Sequence, residues 1–192
     1  MAAGKAGVRV STRRRPGFAG AALLALGLAA CHADVRPCET PPPFHLTIKA
    51  STTLNPNEKG QSLATKLRVL ELKDLSRLQG AEYTEVFHYP ENVFKEDLVS
   101  RVDSEKLEGL EVRPGGKSFV WVPRHKDARY VVVMGIFHTE KPDAWQVSFP
   151  LKKVQPGKCS AEMPGKRPPR SGEVSFEVYL EGTRIEAVPA RP

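Results

Sequence analysis

The 192-residue chain has three cysteines, Cys31, Cys38 and Cys159, and no CxxC pair. The spacing of a thiol redox centre or a zinc knot is therefore missing. Its five histidines, at positions 32, 45, 88, 125 and 138, form neither HExxH nor a tight pair. That leaves a zinc hydrolase without its usual ligand set. His45 falls on the polar face of an alternating stretch and His125 in a turn, so both read as solvated. There is no GxSxG elbow to present a nucleophilic serine. Pro114-Gly115-Gly116-Lys117-Ser118 matches only the end of a phosphate-binding loop, because its first glycine would fall on Glu111. That segment also runs into a strand, so its amides would not converge on a phosphate as those at a helix start do. Carboxylate pairs such as Glu96/Asp97 and Glu140/Asp143 lie on helix surface or in turns, the ordinary places for solvated charge. No catalytic constellation assembles, and no apolar run reaches the roughly 20 residues of a membrane-spanning helix.

What is present begins at the N-terminus. Arg13-Arg14-Arg15 precede an apolar block from Phe18 to Ala30. Its length as a helix is roughly 20 Å, against a hydrocarbon core of about 30 Å. Gly17, Gly20 and Gly27, in and beside it, make a poor core helix. A positive start, a short apolar centre and small residues at the end are the layout of a secretory signal. Leu28-Ala29-Ala30-Cys31 resembles a bacterial lipobox, in which the cysteine thiol receives a diacylglycerol and cleavage falls just before it. An ordinary signal peptide with an incidental cysteine is the alternative. Thr12 to Phe18 faintly resembles a twin-arginine signal, weakened by Pro16 and Gly17. The reading is a signal at 1–30, a lipidated Cys31 opening a proline-rich tether over 31–43, and one domain over 44–192.

Removal of the signal changes the charge. The full chain carries 29 basic and 22 acidic residues, a formal +7, but five of the basic ones lie in 1–30. The remaining 24 against 22 leave +2, so the alkaline character belongs largely to the export segment. Nucleic-acid binding loses its main support. Cys38 and Cys159 would lie in an oxidising compartment, and their even number suggests a disulfide. Closing a loop of that length would contribute up to roughly 4–5 kcal/mol. Two unpaired thiols are the alternative.

Along the domain, "FHLTIKAS" and "TKLRVLEL" alternate as half-buried strands, with the polar stretch "LNPNEKGQS" between them. From Asp74 to Ser100 the apolar residues recur at three- and four-residue spacings, which predicts two or three short helices in one insertion. Asp74 is the expected N-cap and Pro90 a first-turn residue. "LEGLEV", "KSFVWV", "ARYVVVMGIF", "AWQVSFPL" and "EVSFEVYLEG" then read as strands, Val131–Phe137 as a central one, with "TRIEAV" continuing or pairing with the last. Residues 156–172 form a basic, proline-rich loop. The fold class is mainly β, a β-sandwich of seven to eight strands with a helical insertion.

The order of these segments resembles the TssJ (SciN-type) lipoproteins of type VI secretion systems. The resemblance spans about residues 44–152. It rests on Leu54-Asn55 with Gly60, the "LRVLEL" strand, Asp97-Leu98 closing the insertion and the Pro114-Gly115 turn. It implies a transthyretin-like sandwich, anchored in the outer membrane through the lipid on Cys31. The partner implied is the periplasmic C-terminal region of TssM, an inner-membrane protein. No cofactor beyond the covalent lipid, no metal, no small-molecule substrate and no enzymatic activity are implied. The implied contact is the loop between the first two strands: Leu54, Asn55, Pro56, Asn57, Glu58, Lys59, Gly60, Gln61, Ser62 and Leu63. From residue type, Leu54 and Leu63 are expected to anchor its base, Asn55, Asn57 and Gln61 to offer amide groups, and Glu58 and Lys59 to supply charge. A solvated, idle loop is the plain alternative. His32 after Cys31, in place of Asp, agrees with outer-membrane sorting as known in enteric bacteria. The loop is more charged and poorer in proline than the family suggests, and Cys38/Cys159 and the basic loop fall outside the family core. The second reading is a periplasmic β-sandwich binding a small ligand or glycan, which requires an aromatic-lined concavity.

Overall fold

Strict alternation makes β1 (Phe44–Ala50) a strand with one apolar face: Phe44, Leu46 and Ile48 are completely buried. The computed structural model describes residues 40–142, 144–153 and 163–189. Cys31, Cys38 and Cys159, the signal, most of the tether and residues 156–162 of the basic loop lie outside them. β2 (Thr65–Leu72) is buried at every position except Lys66, because both of its faces are covered. β6 (Tyr130–Ile136) is apolar on both faces and takes the central place expected of it, between β2 and β7 (Gln146–Pro150).

Among the described residues nine strands form two sheets. One has the order β5-β1-β8-β9, with β5 (Lys117–Val122), β8 (Ser175–Glu181) and β9 (Arg184–Val188). Its β1–β8 pairing is parallel, and its other pairings are antiparallel. The other sheet has the order β3-β2-β6-β7, with β3 (Leu98–Asp103), all antiparallel, and a two-residue β4 (Glu111–Val112) pairs with the start of β2. The inward faces of the two sheets share one core, in which Leu46, Ile48, Leu67, Val69, Val131, Val133, Val178 and Leu180 are among the members. Burial of side chains of this size contributes about 1.5–3 kcal/mol each before the entropy of ordering is subtracted.

β1 and β2 belong to different sheets, so the connection between them crosses from one layer of the sandwich to the other. A tight hairpin could not make that crossing. The length of residues 54–63 therefore has a structural cause, and length alone does not mark it as a binding loop.

The insertion is shorter than the spacing suggests. α1 (Tyr83–His88) and α2 (Pro90–Phe94) are its helices, with Pro90 in the first turn as expected, and a 3-10 turn follows at Lys95–Asp97. The Phe94/Leu98 spacing does not continue the helix. Lys95 takes φ 50, outside helical geometry, and Leu98–Asp103 becomes β3. Asp74 caps no helix; its carboxylate accepts the Ser76 N–H at 2.7 Å and stabilises a turn. Asp and Asn compete with helical hydrogen bonding in this way wherever the chain bends. Arg68 on β2 fastens the insertion to its sheet. It pairs with Asp103, donates to the Phe87 carbonyl at 2.5 Å and lies 5.0 Å from the Phe87 ring centroid. Among the described residues no helix is long and apolar enough to cross a membrane.

Candidate functional site: the end bearing the β1–β2 loop

Loops cluster at the end of the sandwich where β1 finishes. Leu54 is completely buried and anchors the start of the β1–β2 loop, as its residue type suggests. Leu63 does not anchor the other side. It is 38% exposed and stands on the surface. The reason is register: a Pro56–Ser62 bridge closes the loop, and the Leu63 N–H donates to the Leu54 carbonyl at 3.1 Å. The backbone is thereby held in place and the Leu63 side chain is left outside.

The amide side chains have internal uses. Asn55 is 5% exposed at φ 47, a left-handed conformation that asparagine tolerates better than most residues. Its N–H donates to Gly182 O at 2.7 Å in the β8–β9 turn. Its Oδ1 accepts the His138 N–H at 2.7 Å, and its Nδ2 donates to Ala64 O at 3.4 Å. One residue therefore ties together three loops. Asn57 Oδ1 accepts the N–H groups of Lys59 and Gln61 at 3.0 and 2.9 Å, and its Nδ2 donates to Gln61 Oε1 at 3.0 Å. Asn55 and Asn57 thus spend their amide groups inside the loop, which corrects the expectation that they offer them to a partner; Gln61 spends its Oε1 there but stays exposed. The exposed residues of the loop are Glu58, Lys59, Gly60, Gln61 and Leu63, beside His138 to Lys141 of the β6–β7 loop.

His45 also departs from its sequence reading. It lies on the outer face of β1 but is only 3% exposed. Phe119 stacks on it at 6.0 Å and Trp121 meets it edge-on at 5.1 Å, both from β5. The segment before β8 closes the cover: Trp121 Nε1–H donates to Arg167 O at 2.9 Å, and the Arg167 guanidinium sits over the indole at 5.2 Å. Burial pushes the His45 pKa down, Lys117 adds to that, and Glu173 opposes it. Glu173 is itself held at about 2 by hydrogen bonds from the Arg167 side chain and the Arg170 backbone.

Sequence reasoning missed a second buried group, Glu71 on β2. Its carboxylate accepts Ser100 Oγ–H at 2.6 Å and the His125 N–H at 3.1 and 3.2 Å. Burial raises its pKa against those bonds. A charged residue placed among apolar ones in "RVLEL" was the available signal. It clamps the β5–β6 loop to β2.

The concavity that the ligand reading requires is present in outline. A cleft of about 1020 Å³ opens where β8 begins, with Phe149 and Phe176 in its wall. Those two rings stack on each other at 4.6 Å, and Phe176 also packs edge-on against Phe44. One face of each ring is taken by the other.

The fold defines a two-sheet β-sandwich with a looped end. Residues 42–179 match the family described as type VI secretion lipoprotein (VasD, EvfM, TssJ), and the chain belongs to that family. No curated protein sequence matches it. The fold is similar to that of Serratia marcescens Lip, described as a membrane-bound component of the type VI secretion system. There the identity is 18% and the TM-score 0.58, over 79% of this chain and 99% of that one. It is likewise similar to the type VI lipoprotein TssJ1 of Pseudomonas aeruginosa, at 19% identity and TM-score 0.56, again over 79% and 99%. A chain in the structure described as the TssM C-terminal domain from EAEC matches at 19% identity and TM-score 0.55, over 78% and 99%. At such identities these likenesses establish the fold.

Proposed function

We propose that the protein is the outer-membrane-anchored, non-enzymatic lipoprotein of a type VI secretion membrane complex. It is exported by residues 1–30, acylated at Cys31 and tethered by residues 31–43. Its partner is the periplasmic C-terminal region of a TssM-like inner-membrane protein, bound through residues 54–63. The observation carrying this reading is the build of the loop. Internal amide bonds hold its shape while Leu63, Glu58 and Lys59 face outward, so a partner meets a preorganised surface and little ordering entropy is lost on binding. The family and the likeness to a chain in the TssM-named structure support the choice of partner.

Calorimetry between the mature domain and a TssM-like periplasmic domain tests it. Lys59→Glu with Leu63→Asp leaves Asn55 and Asn57 in place and should weaken binding at least about tenfold, or about 1.4 kcal/mol. A folded double variant that binds as tightly as the parent moves the interface off this loop. Replacing Asn57 to Gln61 by a Gly-Ser turn should weaken binding too, in that case by loss of loop shape.

A further inference from the structure

The two ends of the sandwich differ in charge. At the end where β1 begins, the β5–β6 loop, the segment after β7 and the last residue of β2 are laced together. Arg129 N–H donates to Leu72 O at 2.9 Å, and Leu151 N–H donates to Arg129 O at 2.7 Å. The Arg124 guanidinium reaches the Lys152 carbonyl. The segment entering β8 joins the same end, since the His45 N–H donates to Val174 O at 2.9 Å. Six cations stand exposed there: Lys73, Lys126, Arg129, Lys152, Lys153 and Arg170. Among the described residues none of the six is in a salt bridge. Asp74 and Asp127 are the exposed acids beside them, while Glu173 is held by Arg167, and Glu96 and Asp97 by Arg77. The opposite end is mixed: Lys59, Lys66, Arg113, Lys117 and Lys141 are exposed there, but Glu58, Glu111 and Glu140 stand exposed among them and Glu181 pairs with Arg184. Since the chain from Cys31 onward carries only +2, the basic end reflects segregation of charge rather than a bulk excess.

The anchor fits this polarity. Phe44, which opens β1 at the basic end, follows Cys31 by about a dozen residues, whose fully extended length is at most about 45 Å. A single tether of that kind limits distance without fixing orientation. A cationic end can fix it, because an anionic leaflet attracts Lys and Arg within a screening length of about 8–10 Å.

We infer that this basic end is a contact surface for the anionic headgroups of the leaflet that holds the acyl anchor. It turns the β1–β2 loop end away from the bilayer, towards the partner. The inference rests on the lipid-anchored reading, yet its test does not need the acyl group.

Among the described residues all nine strands and both helices lie within residues 44–188, so the chain from residue 32 carries every described element of the fold. That chain, from residue 32 and without acylation, is sedimented with phosphatidylcholine vesicles that contain or lack phosphatidylglycerol, at low and high salt. Binding only to the phosphatidylglycerol vesicles, lost at high salt, is expected. Lys126→Glu with Lys152→Glu and Lys153→Glu should reduce it at least about tenfold. Lys59→Glu with Lys141→Glu at the opposite end should leave it unchanged. Equal sedimentation with both vesicles, or a triple variant that binds like the parent, overturns the inference. So does loss of TssM-like domain binding in the folded triple variant, which would assign the basic end to that partner. Failure of the anchor itself is read separately, by acyl labelling of Cys31.

Discussion

The Oδ1 of Asn55, at the start of the β1–β2 loop, accepts the backbone N–H of His138 at the start of the β6–β7 loop, 2.7 Å away. The residues are far apart in sequence, and the bond joins the two sheets at the end where the loops gather. It makes the shape of residues 54–63 depend on the β6–β7 loop and, through Gly182, on the β8–β9 turn.

Asn55→Ala should therefore cost about 1–3 kcal/mol, from the orphaned His138 amide and the left-handed φ that alanine resists. Asn55→Gly keeps the backbone free and should be milder by about 1 kcal/mol. Denaturant unfolding of the mature domain gives both numbers. Equal midpoints for Asn55→Ala and the parent would remove Asn55 from this role.

Arg68→Ala should release the helical insertion more than it unfolds the sandwich. Its guanidinium is mostly buried and holds Asp103 and the Phe87 carbonyl together. Deleting one partner of such a pair typically costs 3–5 kcal/mol, eased here because Arg101 also reaches Asp103 at 3.2 Å. Limited proteolysis should open new sites between Gln79 and Asn92 before any in β6. Resistance equal to that of the parent would argue against the fastening.

Two buried groups should oppose each other as pH changes. The folded-state pKa of His45 lies below its ordinary 6.5, so the unfolded chain takes up the proton first. Stability should fall as pH drops from about 6.5 towards the folded-state value. The pKa of Glu71 lies above its ordinary 4.5, so the folded state keeps that proton longer, and stability falls as pH rises through the window above 4.5. His45→Leu should flatten the acid side of a stability–pH curve, and Glu71→Gln the rise side, where glutamine can still accept from His125 N–H and donate to Ser100 Oγ. Thermal melts across pH 4 to 8 (about that range, set by the unperturbed values) would show it. A variant curve parallel to that of the parent would dismiss the group concerned.

The cysteines are open to direct chemistry. Cys31→Ser should abolish labelling by a fatty-acid analogue and leave an unprocessed or soluble chain. Non-reducing mass spectrometry should recover a peptide joining Cys38 to Cys159. Continued labelling, or free alkylation of both thiols without reductant, would defeat each claim in turn.

Local pattern determined the strands and their inward faces. Phe44, Leu46 and Ile48 and the β8–β9 pair follow from period-two alternation, the Val131–Val133 run from an unbroken apolar stretch, and Pro90 in a first helical turn from its fixed φ and missing N–H. Alternation says which side of a strand is apolar. It does not say what covers the other side, and that was decided by partners distant in sequence. His45 is buried because β5 pairs Trp121 opposite it and the chain before β8 folds over both. The β1–β2 loop is an inter-sheet crossing because β1 takes β5 and β8 as neighbours while β2 takes β3 and β6. β3 emerged from an apparent helix because Lys95 leaves helical geometry and β2 offers an edge to the residues that follow. The basic end formed the same way: cations spread from Lys73 to Arg170 become neighbours when β2, β5, β6 and β7 begin or finish at one end of the sandwich, a matter of topology that no local window of residues contains.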